Sequence, residues 1–201
     1  PNNPTGTYVN RCEVDKFLGS LPEDIIVVFD EAYLEFAENK DFPLSLNYFR
    51  QGRNVIILRT FSKIYGLAGL RIGYAIAGEE FIRYMERARQ PFNVNSLAQE
   101  AALAALDDTA FIRKVRKAIS EGKRYLYGEL NRLKINYIPS AANFILIDLR
   151  QNGLKIFNKL LAEGVIVRDM CQYDLKNFIR VTIGTEKENK KFIKALEKFL
   201  S

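Results

Sequence analysis

The chain has 201 residues, 48% of them hydrophobic and 27% charged, with a formal net charge of +6. Such a length supports a substantial buried core in one domain or one and a half, and the composition is that of a soluble globular protein. Histidine is absent and only Cys12 and Cys171 occur, which excludes His-based triads, His metal sites and a disulfide scaffold, suits a reducing cytoplasm, and leaves lysine as the candidate proton carrier. No apolar run approaches the roughly 20 residues that span a bilayer, so no membrane span is expected, and the opening lacks the pattern of a secretory signal. Basic residues are spread along the chain rather than gathered in one tract. The charge therefore predicts solubility and some attraction for anionic phosphorylated substrates, not nucleic-acid binding.

In chain order, Pro1-Asn2-Asn3-Pro4-Thr5-Gly6 reads as a tight turn, since Asn-Pro and Thr-Gly are turn punctuation. Ile25–Phe29 and Val55–Leu58 are continuous β-branched runs, and Gly73–Gly78 is a glycine-bounded third. Unbroken apolar strands predict a sheet covered on both faces, as in α/β architectures. From Glu79 to about Leu106 the pattern is helical, interrupted at Pro91–Asn95. Asp107-Asp108-Thr109 reads as a helix start, and Phe111, Val115, Ile119, Leu126, Leu130 and Leu133 mark the apolar face of a long helix suited to connecting two domains. Strands at Asn136–Ile138 and Asn143–Leu149, a helix over Gly153–Glu163, strands at Val165–Arg168 and Phe178–Ile183 and a last helix over Glu186–Leu200 predict a small α+β domain.

The chemistry concentrates where the first two strands end. One runs into Asp30-Glu31-Ala32-Tyr33 and the other into Arg59-Thr60-Phe61-Ser62-Lys63, with Arg71 downstream. Ligands of α/β sheets gather beyond the carboxyl ends of strands. A lysine attacks a carbonyl only as the free amine, so it needs desolvation or nearby positive charge. Arg71 and the hydroxyls of Thr60 and Ser62 are groups that hold a phosphate. A carbonyl cofactor that also carries a phosphate suggests pyridoxal phosphate. Taken singly, each feature has a plainer reading: a solvated loop for Ser-x-Lys, a helix cap or ion-pair partner for Asp30, an edge of the core for Tyr33. Arg180, in the otherwise apolar Phe178–Ile183, requires a partner, because an unpaired charge in such a strand is costly.

The run Thr60-Phe61-Ser62-Lys63-Ile64-Tyr65-Gly66-Leu67-Ala68-Gly69-Leu70-Arg71-Ile72-Gly73-Tyr74 resembles the cofactor-lysine segment of fold type I pyridoxal-phosphate aminotransferases, with wording nearest the histidinol-phosphate group. The resemblance extends from Pro1 to the last helix. It implies an α/β fold in which residues 1–110 are the carboxy-terminal part of a large cofactor-binding domain with a mostly parallel sheet. Residues 111–135 are then a connecting helix and residues 136–201 a small α+β domain. It implies that Lys63 carries the cofactor as a Schiff base and shuttles the substrate α-proton, that Asp30 pairs with the pyridine nitrogen, and that Tyr33 and Asn3 reach the phenolic oxygen. Thr60, Ser62 and Arg71 would hold the phosphate and Arg180 the substrate carboxylate, with Asn143 nearby, although a turn or strand-capping asparagine would read the same way.

Arg168 in Gly164–Asp169 also matches the histidinol-phosphate wording, as would an exposed edge-strand arginine. Where that group usually places an arginine for the substrate phosphate, the last helix carries Lys191, a point charge without the guanidinium fork. This departure bears on the substrate more than on the reaction. The implied reaction is amino transfer between histidinol phosphate and 2-oxoglutarate, in a cytoplasmic homodimer. Decarboxylation of threonine phosphate, and a catalytically incomplete module, are the alternatives. The chain opens inside a motif without a methionine, which predicts a piece of a longer protein. The residues outside it would then supply a phosphate-cradling turn, a ring-stacking aromatic and contacts to the partner's site.

Overall fold

The structure, a computed structural model, describes residues 1–200 and divides into two compact units, residues 9–113 and residues 1–8 with 114–201.

In the first unit, α1 (Arg11–Ser20) opens on a capping box: the Asn10 side chain accepts from the Glu13 amide at 3.0 Å and the Glu13 carboxylate accepts from the Asn10 amide at 2.9 Å. Two orphan amides of the first turn are thereby satisfied. The sheet runs in the order β1 (Val27–Asp30), β2 (Val55–Thr60), β3 (Gly73–Ile76), with β1 parallel and β3 antiparallel to β2. Each expected strand is present, and β2 runs two residues further, to Thr60. A cluster of Val14, Leu18, Tyr48 and Val55, with Val27 and Phe29 against it, joins one face of this sheet to α1 and α2 (Ser45–Arg50). The expectation of burial on both faces is not met within the chain: Val28 is 53% and Leu58 39% exposed. Those residues lie on the face opposite α1 and α2, because successive side chains of a strand alternate. The helical stretch that follows is α3 (Glu79–Ala88) and α4 (Ser96–Asp107), interrupted at residues 89–95.

Asp108 then accepts from the Phe111 amide at 2.9 Å, capping α5 (Thr109–Arg132) where the sequence predicts a start. The division into units falls between Arg113 and Lys114. The second unit has a four-stranded antiparallel sheet, β4 (Asn136–Ile138), β5 (Phe144–Asp148), β7 (Phe178–Thr182) and β6 (Arg168–Asp169), in the order β4-β5-β7-β6. Helices α5, α6 (Gly153–Ala162) and α7 (Glu186–Leu200) close its core around Leu126, Leu130, Ile147, Ile156, Ile179 and Leu196. The strand expected at Val165–Arg168 shrinks to its last residue plus Asp169. The Val165 amide donates to the Leu160 carbonyl at 2.9 Å, so this segment first completes the turn that ends α6. Residues 1–8 join this unit through the Ala141 amide, which donates to the Gly6 carbonyl at 2.8 Å. At Gly6, with φ +75°, an added Cβ would stand 2.2 Å from the Ser140 Oγ, so the approach requires glycine.

Candidate active site

Asp30 ends β1 on its exposed face, in register with Leu58 of β2, and its Oδ1 accepts from the Ala32 amide at 3.1 Å. This bond turns the chain out of the strand. Tyr33 is buried directly after the turn. On β2, Thr60 lies two residues beyond Leu58 and so shares the face of Asp30. Its hydroxyl accepts from the Ser62 amide at 3.0 Å and folds the backbone so that Phe61 and Ile64 go into the core while Lys63 stands exposed. The Lys63 Nζ lies 5.2 Å from the centre of the Tyr33 ring, within cation–π range. Lysine and tyrosine, separate in sequence, are thus brought together by the parallel pairing of β1 and β2.

Beyond Lys63 the chain turns at Gly66, with φ +73°, and at Arg71, with φ +54°. Arg71 Nη1 donates to the Ala68 carbonyl at 2.8 Å and reaches the Ser62 Oγ at 3.4 Å. Thr60, Ser62 and Arg71 therefore form one hydrogen-bonded group. Among the described residues no carboxylate lies within ion-pair distance of Lys63 or Arg71. Two cations beside two hydroxyls make a locally positive surface that attracts an anion. That arrangement, a primary amine next to an anion cradle with a carboxylate at the neighbouring strand end, can attach a phosphate-bearing carbonyl compound.

The second unit carries the remaining expected residues. The turn holding Asn3 is closed by the Gly6 amide, which donates to the Asn2 carbonyl at 2.7 Å. Arg180 Nη1 donates to the Asn3 Oδ1, and the guanidinium stacks 5.0 Å over the Phe144 ring. The partner that the sequence reading demands for Arg180 is thus a neutral amide and an aromatic face, and its charge is not neutralised by a carboxylate among the described ion pairs. Arg168 faces Arg180 in the β6–β7 register, and its Nη2 donates to the Gln172 Oε1 at 2.8 Å. Two arginines opposite one another disfavour pairing unless an anion is shared. Asn143 uses its backbone carbonyl to accept from the Ile183 amide at 2.9 Å. Lys191 Nζ donates to the Gly164 carbonyl at 2.9 Å, where a cation complements the carbonyl end of α6.

Sequence reasoning assigned no role to Glu31 and Arg59, yet they form a part-buried ion pair with Nε to Oε2 at 2.8 Å. The Ser45 hydroxyl donates to the other carboxylate oxygen of Glu31. A side-chain hydrogen bond to Tyr74 and the pairing with Glu31 raise the Arg59 pKa above its usual value, outweighing the opposing effect of burial, the largest single influence. The only trace in the sequence is two charges beside apolar strand runs. Burial is first among the causes that raise the Tyr65 pKa.

Residues 1–196 match the family model described as aminotransferase class I and II. A histidinol-phosphate aminotransferase of Moorella thermoacetica is 52% identical over 204 residues, a match covering all of this chain and 52% of that protein. A second, from Carboxydothermus hydrogenoformans, is 49% identical, covering all of this chain and 56% of that protein. The chain spans about half the length of the curated relatives it matches. Among solved structures, the histidinol-phosphate aminotransferase of Clostridium acetobutylicum superposes with a TM-score of 0.91 at 29% identity, covering all of this chain and 62% of that one. The Sinorhizobium meliloti enzyme in complex with pyridoxal-5'-phosphate gives 0.89 at 29% identity, with coverage of 100% and 55%. L-threonine-O-3-phosphate decarboxylase of Porphyromonas gingivalis gives 0.86 at 30% identity, with coverage of 100% and 62%.

Proposed function

The chain belongs to the class I and II aminotransferase family, and from that premise we propose that it forms part of a pyridoxal-phosphate enzyme transferring the amino group of histidinol phosphate to 2-oxoglutarate. The observation that carries the reading is the grouping of Lys63, Tyr33, Ser62 and Arg71 at the carboxyl ends of parallel strands, beside Asp30. These residues fit the cofactor: an amine for its aldehyde, a cation and hydroxyls for its phosphate, and a carboxylate for its ring nitrogen. Bound there, pyridoxal phosphate supplies an electron-withdrawing ring that takes up the electron pair left when a substrate proton departs.

In this reading Lys63 would be the attachment point of the cofactor, and its free amine would carry the proton at the substrate α-carbon. The carboxylate of Asp30 would hold a proton at the ring nitrogen. Tyr33 and Asn3 would donate to the phenolic oxygen, while Thr60, Ser62 and Arg71 would bind the phosphate. Arg180 would grip the carboxylate of glutamate or 2-oxoglutarate, with Asn143 assigned to the same neighbourhood and Lys191 to the phosphate of histidinol phosphate. The high identity to curated histidinol-phosphate aminotransferases supports the substrate. Family membership supports a homodimer of the whole protein in the cytoplasm, and the two free cysteines fit a reducing compartment.

Borohydride reduction of the whole protein with pyridoxal phosphate, followed by peptide mapping, is expected to label Lys63, and Lys63→Ala is expected to abolish the label. Glutamate alone should release 2-oxoglutarate in proportion to bound cofactor, and Lys63→Ala should lower that half-reaction by at least about 10²–10⁴-fold. The likeness to a threonine-phosphate decarboxylase provides the second reading. Carbon dioxide from threonine phosphate without 2-oxoglutarate from glutamate would establish it and sink the first.

A further inference from the structure

Asp30 and Thr60 stand on one face of the β1–β2 pair, while the residues next to them, Glu31 and Arg59, turn to the other. Glu31 continues the ladder, its amide donating to the Leu58 carbonyl at 2.9 Å, and its side chain is buried at 6% exposure against 17% for Arg59. Both carboxylate oxygens are engaged, Oε2 by Arg59 and Oε1 by the Ser45 hydroxyl. Tyr74 faces Arg59 across the β2–β3 pair. The cluster therefore links the end of β1, the end of β2, β3 and the first residue of α2.

A part-buried ion pair of this kind adds little net stability, because desolvating two charges offsets most of their attraction, and an apolar pair of similar volume often serves as well. What an apolar pair does not provide is a fixed direction and length. The Glu31–Arg59 bond sits one residue from Asp30 on one strand and one residue from Thr60 on the other. A change in its length moves the carboxylate of Asp30 relative to the loop that carries Ser62 and Lys63.

We propose that Glu31 and Arg59, braced by Ser45 and Tyr74, are positioning residues that set the spacing between Asp30 and the Lys63 loop from behind the sheet. The inference rests on the aminotransferase reading for its consequence in rate. Neither residue touches the reacting atoms; each acts through the neighbour it holds.

The test compares the whole protein with Glu31→Met/Arg59→Met and with Arg59→Lys. The double variant is expected to melt within a few degrees of the parent, since no charge is left unpaired. Its turnover in the glutamate half-reaction should fall by roughly 10–100-fold, the scale of a misplacement of about 1 Å, with the KM for glutamate changed far less. Reductive labelling of Lys63 should slow as well, a readout independent of turnover. Arg59→Lys keeps a cation opposite Glu31 without the fork and should recover part of the lost rate. A folded double variant with parental turnover and labelling overturns the inference. If that variant does not fold, Arg59→Lys decides alone, and parental values in it overturn the inference. A parent protein that is neither labelled at Lys63 nor active on glutamate overturns the aminotransferase reading and the inference together, whereas a labelled, active parent with unaffected variants removes only the inference.

Discussion

Strands β1 and β5 are comparable in sequence, Val-Val-Phe-Asp against Phe-Ile-Leu-Ile-Asp, yet they are used differently. Phe144 to Ile147 are all buried, and Ile145 and Ile147 belong to a core continuous through α5, α6 and α7. In β1 alternate residues are exposed, and the covered face packs on the smaller cluster of Val14, Leu18, Tyr48 and Val55. Apolar content alone thus does not separate scaffold from site. In residues 9–113 the packed face of the sheet carries the Glu31–Arg59 link and the other presents Asp30 and Thr60, so burial on one side coexists with chemistry on the other. In the second unit the central strand β5 chiefly makes core, and Arg180 on β7 is one of the strand residues left outside it.

The sharpest break of this contrast is Ile147→Ala. Ile147 is 1% exposed, so truncation should destabilise its unit by about 2–5 kcal/mol, read as loss of hydrogen-exchange protection in β5 and β7. A loss below about 1 kcal/mol would mean that the core is not closed there. Next is Gly122→Ala in α5. The added Cβ would meet Ile183 Cγ2 at 2.6 Å and Asn189 Nδ2 at 2.8 Å, and Asn189 is itself tied to both backbone groups of Gly184. Overpacking should cost about 1–3 kcal/mol in denaturant unfolding, outweighing the gain of about 1 kcal/mol in helix propensity.

Smaller effects test the other unit. Burial first, and then the hydroxyl bond to Asp15 at 2.7 Å, push the Tyr48 pKa up to about 12. Because the folded-state pKa is raised, its contribution is present below the ordinary tyrosine pKa of about 10 and is lost as pH rises through about 12. Tyr48→Phe should remove about 1 kcal/mol at neutral pH and flatten the alkaline decline between those values. An unchanged decline would assign it to other groups. Least of all should follow from Val28→Thr in the 201-residue chain, where exposure predicts a change within about 0.5 kcal/mol. A cost like that of Ile147→Ala would show that this face is covered.

Much of the fold is legible in the sequence because its signals are short in range. The Asp108 cap, the interruption between α3 and α4, and the presence of β1 and β2 follow from residues a few positions apart. The same holds for Lys63: the motif around it contains the hydroxyls and arginine that the structure gathers into one group. Other features had no local signal. Val165–Val167 has strand composition, but Val165 is drawn back to close α6 and Ile166 is 81% exposed. Lys191 reads as a free cation for a phosphate, while the fold places its ammonium on the Gly164 carbonyl.

The sequence by itself determined the family and most of the secondary-structure elements, since turn residues, caps and apolar periodicity act over a few positions and the motif around Lys63 is contiguous. Only the tertiary structure decided which distant groups meet: Glu31 with Arg59, Tyr33 with Lys63, and Asn3 with Arg180 across 177 positions. Strand register and helix packing select those partners. They depend on the balance of burial over a whole unit, which no short stretch of residues contains.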